Sequence, residues 1–434
     1  MDTKKKPTKR AWARYLSLLM AFVAPSVAGA RQVANAEPLL DLTVAVAEAL
    51  ARNPEIQMVQ QRLAIATARA RQTTYLEDPQ IAFQLGGVPL SNPTSFNQAD
   101  TNSIGIRQMV PFFGKLALRE QIARQETKVV EQELRGKETE VAAMVKTAYA
   151  DLFMAERAVE ILRDQREIMR MIIGATEARY RVGKVTQQDV FKAQLEQSEI
   201  MNQLIVAEEE SKAATVKLNT AMYRPPQTPI RIPADLTLPD IAAAAYSLDE
   251  MALANRPELR AAQEEIGRSE RMYELANRNR KFPDFMLGWD YMRMPTEMKK
   301  KDRYAAMVNV TIPFSPWSMG RHNDEVEESL AEIRAAKSNL DAMRNTTLKQ
   351  VGESLAKVEA ARRSIQLYRE GLLSQADLSF RSSLVAYQTG RVEFVNLLEA
   401  ERGLRQAHMG YYKATTSFLK NLADLERAVG RELQ

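Results

Sequence analysis

The chain has 434 residues, 26% of them charged, a formal net charge of +5 and no cysteine. Without cysteine there is no disulfide, no thiolate zinc site, no thiol nucleophile and no lipid-modified N-terminal cysteine to anchor the protein. Only 18 prolines and 17 glycines punctuate the sequence, a composition that suits long helices rather than a β-sandwich.

Lys4, Lys5, Lys6, Lys9, Arg10 and Arg14 precede an apolar run at residues 15–28 that is short for a membrane helix and is interrupted by Pro25. Small-residue sites follow at Ala28-Gly29-Ala30 and Ala34-Asn35-Ala36. Residues 1–36 therefore read as a signal peptide, cut after Ala36 in preference to Ala30. That segment holds seven Lys/Arg against one acidic residue, so taking its +6 from +5 leaves a mature chain near −1. The basic balance belongs to the export signal, and no nucleic-acid partner is expected.

Asp41 or Thr43 can cap a short helix that ends near Arg52, before Pro54. Proline is favoured in a first helical turn, so a second helix starts at Asn53-Pro54-Glu55 and runs to about Tyr75. From Gln80 the period changes to two: Ile81, Phe83 and Leu85 alternate with polar or small residues, as do Ile104, Ile106 and Val110. Strands are expected at about 80–88 and 103–110, long enough to cross a bilayer when tilted, although a soluble hairpin has the same local pattern. A proline-free helix at about 114–182 follows. Val141, Val145, Ala148, Leu152, Ala155, Val159 and Leu162 give it a coiled-coil seam. Tyr180-Arg181-Val182-Gly183-Lys184-Val185 turns the chain into a return helix at 186–222, and the proline-rich connector 224–234 carries no regular element.

The unit then repeats. Asn53-Pro54-Glu55 returns as Arg256-Pro257-Glu258, Pro79 as Pro283, Pro111-Phe112 as Pro313-Phe314, and the Tyr180 turn as Tyr387-Gln388-Thr389-Gly390-Arg391-Val392. The offset between copies drifts only from 202 to 207. Residues 37–234 are thus repeat 1 and 235–434 repeat 2. Repeat 2 has strands at about 284–292 and 304–312, a long helix at 320–386 with Val351, Val358, Ile365 and Leu372 seven apart, and a return helix at 393–430. Four strands cannot close a barrel, and lipid forbids open sheet edges, so membrane strands would require several chains to share one barrel. Phe112, Phe113, Trp289, Tyr291, Tyr304, Phe314 and Trp317 cluster near the strand ends, as interfacial girdles do; plugging of a helix–strand junction is the other reading.

The signal peptide, the duplication, Gln108-x-x-Pro-Phe-x-Gly-Lys and the paired Tyr-x-x-Gly turns resemble TolC-type outer-membrane efflux proteins. The run Pro-Phe-Phe-Gly-Lys-Leu-x-Leu-Arg from Pro111 is most similar to the heavy-metal CzcC/CusC-like branch. The resemblance implies a mainly α fold with a membrane β-barrel portion: a homotrimer with a twelve-stranded barrel and a long helical periplasmic tunnel. It also implies a periplasmic adaptor and an inner-membrane resistance-nodulation-division pump as partners, outer-membrane lipid around the barrel, and heavy-metal cations as cargo. Drug efflux, type I protein secretion and a periplasmic coiled-coil scaffold are the alternatives.

The family closes its tunnel near the turns, which by position implicates Asp189, Tyr387, Arg391, Asn396 and Glu399 as gate residues. Val392 stands where the family carries Arg. The exposed turns, Arg181, Val182, Gly183, Lys184 and Val185 with Gln388, Thr389, Gly390, Arg391 and Val392, would meet the adaptor. Glu401 and Arg405 read as an ordinary solvated i,i+4 pair. Met292, Met294, Met298 and Met307 crowd the second hairpin; thioethers suit Cu(I) or Ag(I), but packing is the methionine's commoner use. His322 and His408 lack Glu-x-x-His spacing, and no phosphate loop, nucleophile elbow or zinc spacing occurs. No catalysis, cofactor or bound metal is expected.

Overall fold

The computed structural model describes residues 39–433 apart from 89, 95–98, 240–244 and 295–301; the expected signal peptide and Met298 lie outside them. Helix α1 (Leu42–Arg52) is followed by α2 (Pro54–Gln72), with Pro54 at the first helical position and the Asn53 side chain accepting from the Glu55 N–H at 2.8 Å. The α2 helix stops short of Tyr75. The Thr73 hydroxyl donates to the Ala70 carbonyl, and the Thr73 N–H closes the last turn. Strands β1 (Gln80–Gly86) and β2 (Thr101–Val110) lead into α3 (Lys115–Arg181), whose 67 residues span about 100 Å at the α-helical rise. The return helix α4 covers Gln187–Ala221.

The second half repeats this order. It comprises α5 (Ala245–Asn255), α6 (Pro257–Lys281), β3 (Asp284–Arg293), β4 (Asp302–Thr311), α7 (Met319–Leu367), α8 (Leu373–Gln388) and α9 (Phe394–Val429). The expected single helix at 320–386 is broken by a π-helical segment, Tyr368–Leu372, between α7 and α8. A π turn accommodates one extra residue, and the core side chains record it. Val351, Val358 and Ile365 are buried, but Leu372 is 36% exposed, and the seam resumes through Phe380 and Tyr387. The core positions Ile365 and Phe380 therefore stand fifteen residues apart, one more than two heptads.

Six of the seven seam residues of α3 are in the core, and Ala155, half-buried, packs against it. Val141, Val145, Ala148, Leu152 and Ala155 pack with α1 and the end of α4. Val159 and Leu162 join Met169 and Ile172 in a second cluster with α4, α8 and α9. A third cluster joins α5, α7 and α9. Among the described residues no helix is long and apolar enough to cross a membrane.

The strands form one antiparallel sheet in the order β1-β2-β3-β4, so the two hairpins are joined through β2 and β3. The register aligns Ile81, Ile106, Trp289 and Ala306 in one row and Phe83, Ile104, Tyr291 and Tyr304 in another. Because side chains alternate, these rows build one apolar face, on which Phe83 and Tyr304 are 77% and 76% exposed. The opposite face carries Gln80, Gln84, Ser103, Arg107, Asp290 and Asn309.

The aromatic cluster divides. Phe112 stacks on Phe282 at 4.5 Å and leans on Phe285, plugging the helix–strand junction, while Phe113, Trp289, Tyr304, Phe314 and Trp317 are exposed. Lys115, almost fully buried, explains the end of the Pro-Phe-Phe-Gly-Lys motif. Its Nζ donates to the Phe282 carbonyl (2.8 Å) and to Asp284 (2.9 Å), whose carboxylate also accepts from the Phe112 N–H. The motif thus fastens the start of α3 to the junction between α6 and β3.

Candidate functional site

At the far end of α3 both turns have the same backbone. The Lys184 N–H donates to the Arg179 carbonyl and the Gly183 N–H to Tyr180; the Arg391 N–H donates to Ala386 and the Gly390 N–H to Tyr387. These six-to-one and five-to-two bonds are Schellman motifs. Gly183 and Gly390 supply the required left-handed conformation, with φ of +71° and +80°. Arg181, Val182, Gly183, Lys184, Gln388, Thr389, Gly390 and Arg391 are exposed. Val185 and Val392 instead turn inward against the α3–α4–α8–α9 core.

The matched tyrosines part company. Tyr180 is 44% exposed, whereas Tyr387 is 1% exposed and donates to the Thr176 hydroxyl at 3.1 Å. The Arg179 guanidinium sits 4.6 Å from the centre of the Tyr387 ring and donates to the Tyr387 carbonyl. Tyr387 therefore ties the tip of α3 to the second turn from within the protomer. Burial raises the pKa of its phenol, with nearby Asp189 adding to the effect. Asp189 closes a capping box at the start of α4: its carboxylate accepts from the Thr186 N–H (3.2 Å) and hydroxyl (3.0 Å). Arg391, Asn396 and Glu399 are exposed, and the last two line an open groove between α8 and α9 with Gln375, Ser379 and Ser383. Of the gate candidates, Asp189 lies within electrostatic reach of Tyr387, Asn396 and Glu399 share the groove, and Arg391 stands exposed on the second turn.

Two turns up the hairpins, beyond the expected gate residues, lies an ionic layer. Glu196 of α4, 2% exposed, accepts from Arg405 at 2.9 Å and from both Nε and Nη2 of Arg402. Glu401 and Arg405 are not a solvated pair: Glu401 is fully buried, neither of its carboxylate oxygens has a hydrogen bond, and Arg405 Nη1 stands 3.8 Å away. Burial pushes the Glu401 carboxyl up to about 7, against the pull of Arg405. Burial also acts on Glu196, but hydrogen bonds from Arg402 and Arg405 outweigh it and lower its pKa. The signal was present in the spacing. Glu196 interrupts the core run Ala193, Ile200, Leu204, and Glu401 interrupts Phe394, Leu397, Leu404. This layer bridges the hairpin of the first repeat to that of the second. Among the described residues no group of three or more His, Cys, Asp or Glu is placed to hold a metal.

The family model described as outer membrane efflux protein matches residues 45–222 and 248–431. The cobalt-zinc-cadmium resistance protein CzcC of Cupriavidus metallidurans is 22% identical over 329 residues, 73% of this chain and 74% of that protein. Among solved structures, CusC superposes with a TM-score of 0.75 at 17% identity, covering 90% of this chain and 92% of its own. VceC of Vibrio cholerae gives 0.75 at 18% identity, covering 91% and 97%. These likenesses show a shared fold.

Proposed function

The chain belongs to the outer membrane efflux protein family, and from that premise we propose that it is the passive exit duct of a tripartite system exporting heavy-metal cations. One arrangement carries the reading. The duplicated hairpins join into a single open sheet with an apolar exposed face, set at one end of a 67-residue helix whose other end is a glycine turn. The edges of β1 and β4 have no partner strand among the described residues. In lipid such edges are costly, so three copies sharing a twelve-stranded barrel satisfy them. The long helices then form a periplasmic tunnel roughly 100 Å long. Signal-peptide cleavage would deliver the chain to the outer membrane, and the exposed turns would meet a periplasmic adaptor coupled to an inner-membrane resistance-nodulation-division pump.

Metal cargo is favoured by the likeness to a cobalt-zinc-cadmium resistance protein. Deleting the gene should sensitise cells to transition-metal cations. Unchanged metal tolerance with new sensitivity to bulky drugs would replace metal by drug as the cargo.

Three copies of Asp189 or Glu399 around an axis would attract cations and focus the field in a narrow mouth. Replacing both with alanine should raise ion leakage through the closed channel in planar bilayers; unchanged conductance would remove them from the gate.

A further inference from the structure

We propose that Met109, Met286 and Met307 form a thioether site for a soft monovalent cation, Cu(I) or Ag(I), on the polar face of the sheet. The inference rests on the channel reading in one respect, that this face lines the interior of the duct. Met109 is the direct cross-strand partner of Met286, and Met307 pairs with Gly288, one pleat step along β3 on the same face. Directly opposed side chains start about 5 Å apart and diagonal ones about 7–8 Å, within reach of a long, unbranched side chain.

A second observation fixes the direction in which Met307 leans. Its Cε methyl lies 3.0 Å from where a Cβ on Gly288 would stand, so the side chain folds across β3 into space that only a glycine leaves open. All three are half-buried on the sheet face, and none belongs to a buried core cluster. They share their face with Gln80, Ser103, Arg107, Asp290 and Asn309.

The donor chemistry sets the ligand. Neutral thioethers are soft donors that hold Cu(I) and its congener Ag(I), whereas divalent cobalt or zinc takes nitrogen, oxygen or thiolate. The surrounding charges do not supply a carboxylate cage. Asp284 is engaged by Lys115, Asp290 leans across Gly105, and Arg107, whose stem also lies over Gly288, adds a positive charge. Retention of an ion here depends on sulfur bonding rather than on field strength. The trio stands where β2 and β3 meet the helical portion, next to the Phe112–Lys115 junction, so an ion leaving the tunnel would meet it on entering the barrel.

The test is titration of the purified full-length protein in detergent with silver nitrate in chloride-free buffer, followed by calorimetry. The wild type should bind one Ag(I) per chain. The variant carrying Met109→Leu, Met286→Leu and Met307→Leu should bind at least tenfold more weakly, while Met292→Leu, two rows along the same face, should match the wild type. Leucine conserves volume, and the single variant Met286→Leu gives the same readout if the triple variant does not fold. Absence of stoichiometric binding by the wild type, or equal binding by the variants, overturns the proposal. This readout does not involve transport, so it stands apart from the metal sensitivity of a deletion strain, which tests the efflux reading.

Discussion

A carboxylate without a hydrogen bond in a helical core makes stability depend on pH. The folded-state pKa of Glu401 is about 7 against an ordinary 4.5. Between those values the folded protein holds a proton that the unfolded chain has released. Stability from this group is therefore full below about pH 4.5 and declines as pH rises to about 7, by roughly 3 kcal/mol for such a shift. Glu196 has the opposite sign: its pKa is lowered, so its contribution is lost as pH falls through the acid range. The variant Glu401→Gln, which mimics the protonated acid, should melt higher than the wild type at pH 8 and equally at pH 4.5. Detergent melting curves across that range check this. Parallel pH profiles for the two proteins would mean that Glu401 is already solvated or paired.

At the scale of elements, the π segment is a register device. The core residues of α7 run Val351, Val358, Ile365, and those of α8 run Phe380, Tyr387, with one residue too many between them for an unbroken heptad. An α-helix rotates about 100° per residue, so without the π turn Phe380 and Tyr387 would leave the core by that angle. Deleting Gly371 removes the surplus residue and should leave the melting temperature within a few degrees of the parent. Inserting one alanine after Ala361 should lower it sharply, because Ile365 then rotates out of its cluster. If deletion and insertion do equal damage, the segment serves something other than register.

For the whole molecule, the two sheet faces make opposite predictions. Ile104 lies on the exposed apolar face and Ser103 on the polar one. If the apolar face meets lipid, Ile104→Arg should cost about 2–4 kcal/mol near the bilayer midplane, while Ser103→Arg should be tolerated. The yield of assembled protein in the outer-membrane fraction compares them directly. Equal yields would argue against a lipid-facing sheet. The same sheet shows how far tertiary pairing extends local pattern. Each hairpin is a short-range event, but the β2–β3 pairing joins residues some 190 apart, such as Ile104 and Tyr291.

Much of this protein is written in local periodicity. The seven α3 seam residues from Val141 to Leu162, the alternation at Ile81–Leu85, the prolines that start α2 and α6 and the glycines of the two turns follow from backbone geometry that each residue carries with it. The duplication followed from comparing one half with the other. Burial did not, because it depends on which faces meet after folding. Tyr180 and Tyr387 occupy matched places in matched turns, yet only Tyr387 is covered, by Arg179 and Thr176 from the other repeat. Glu401 and Arg405 had the spacing of a surface pair until α4 brought Glu196 against Arg405 and the core closed over Glu401. Most of the elements and their order are legible locally, because a helix or strand depends on neighbours within a few residues; α5 and the break between α7 and α8 are not. Which carboxylates lose their water and which strands join follow only from the folded chain, because Glu196 meets Arg405 and Ile104 meets Tyr291 across about two hundred residues of sequence.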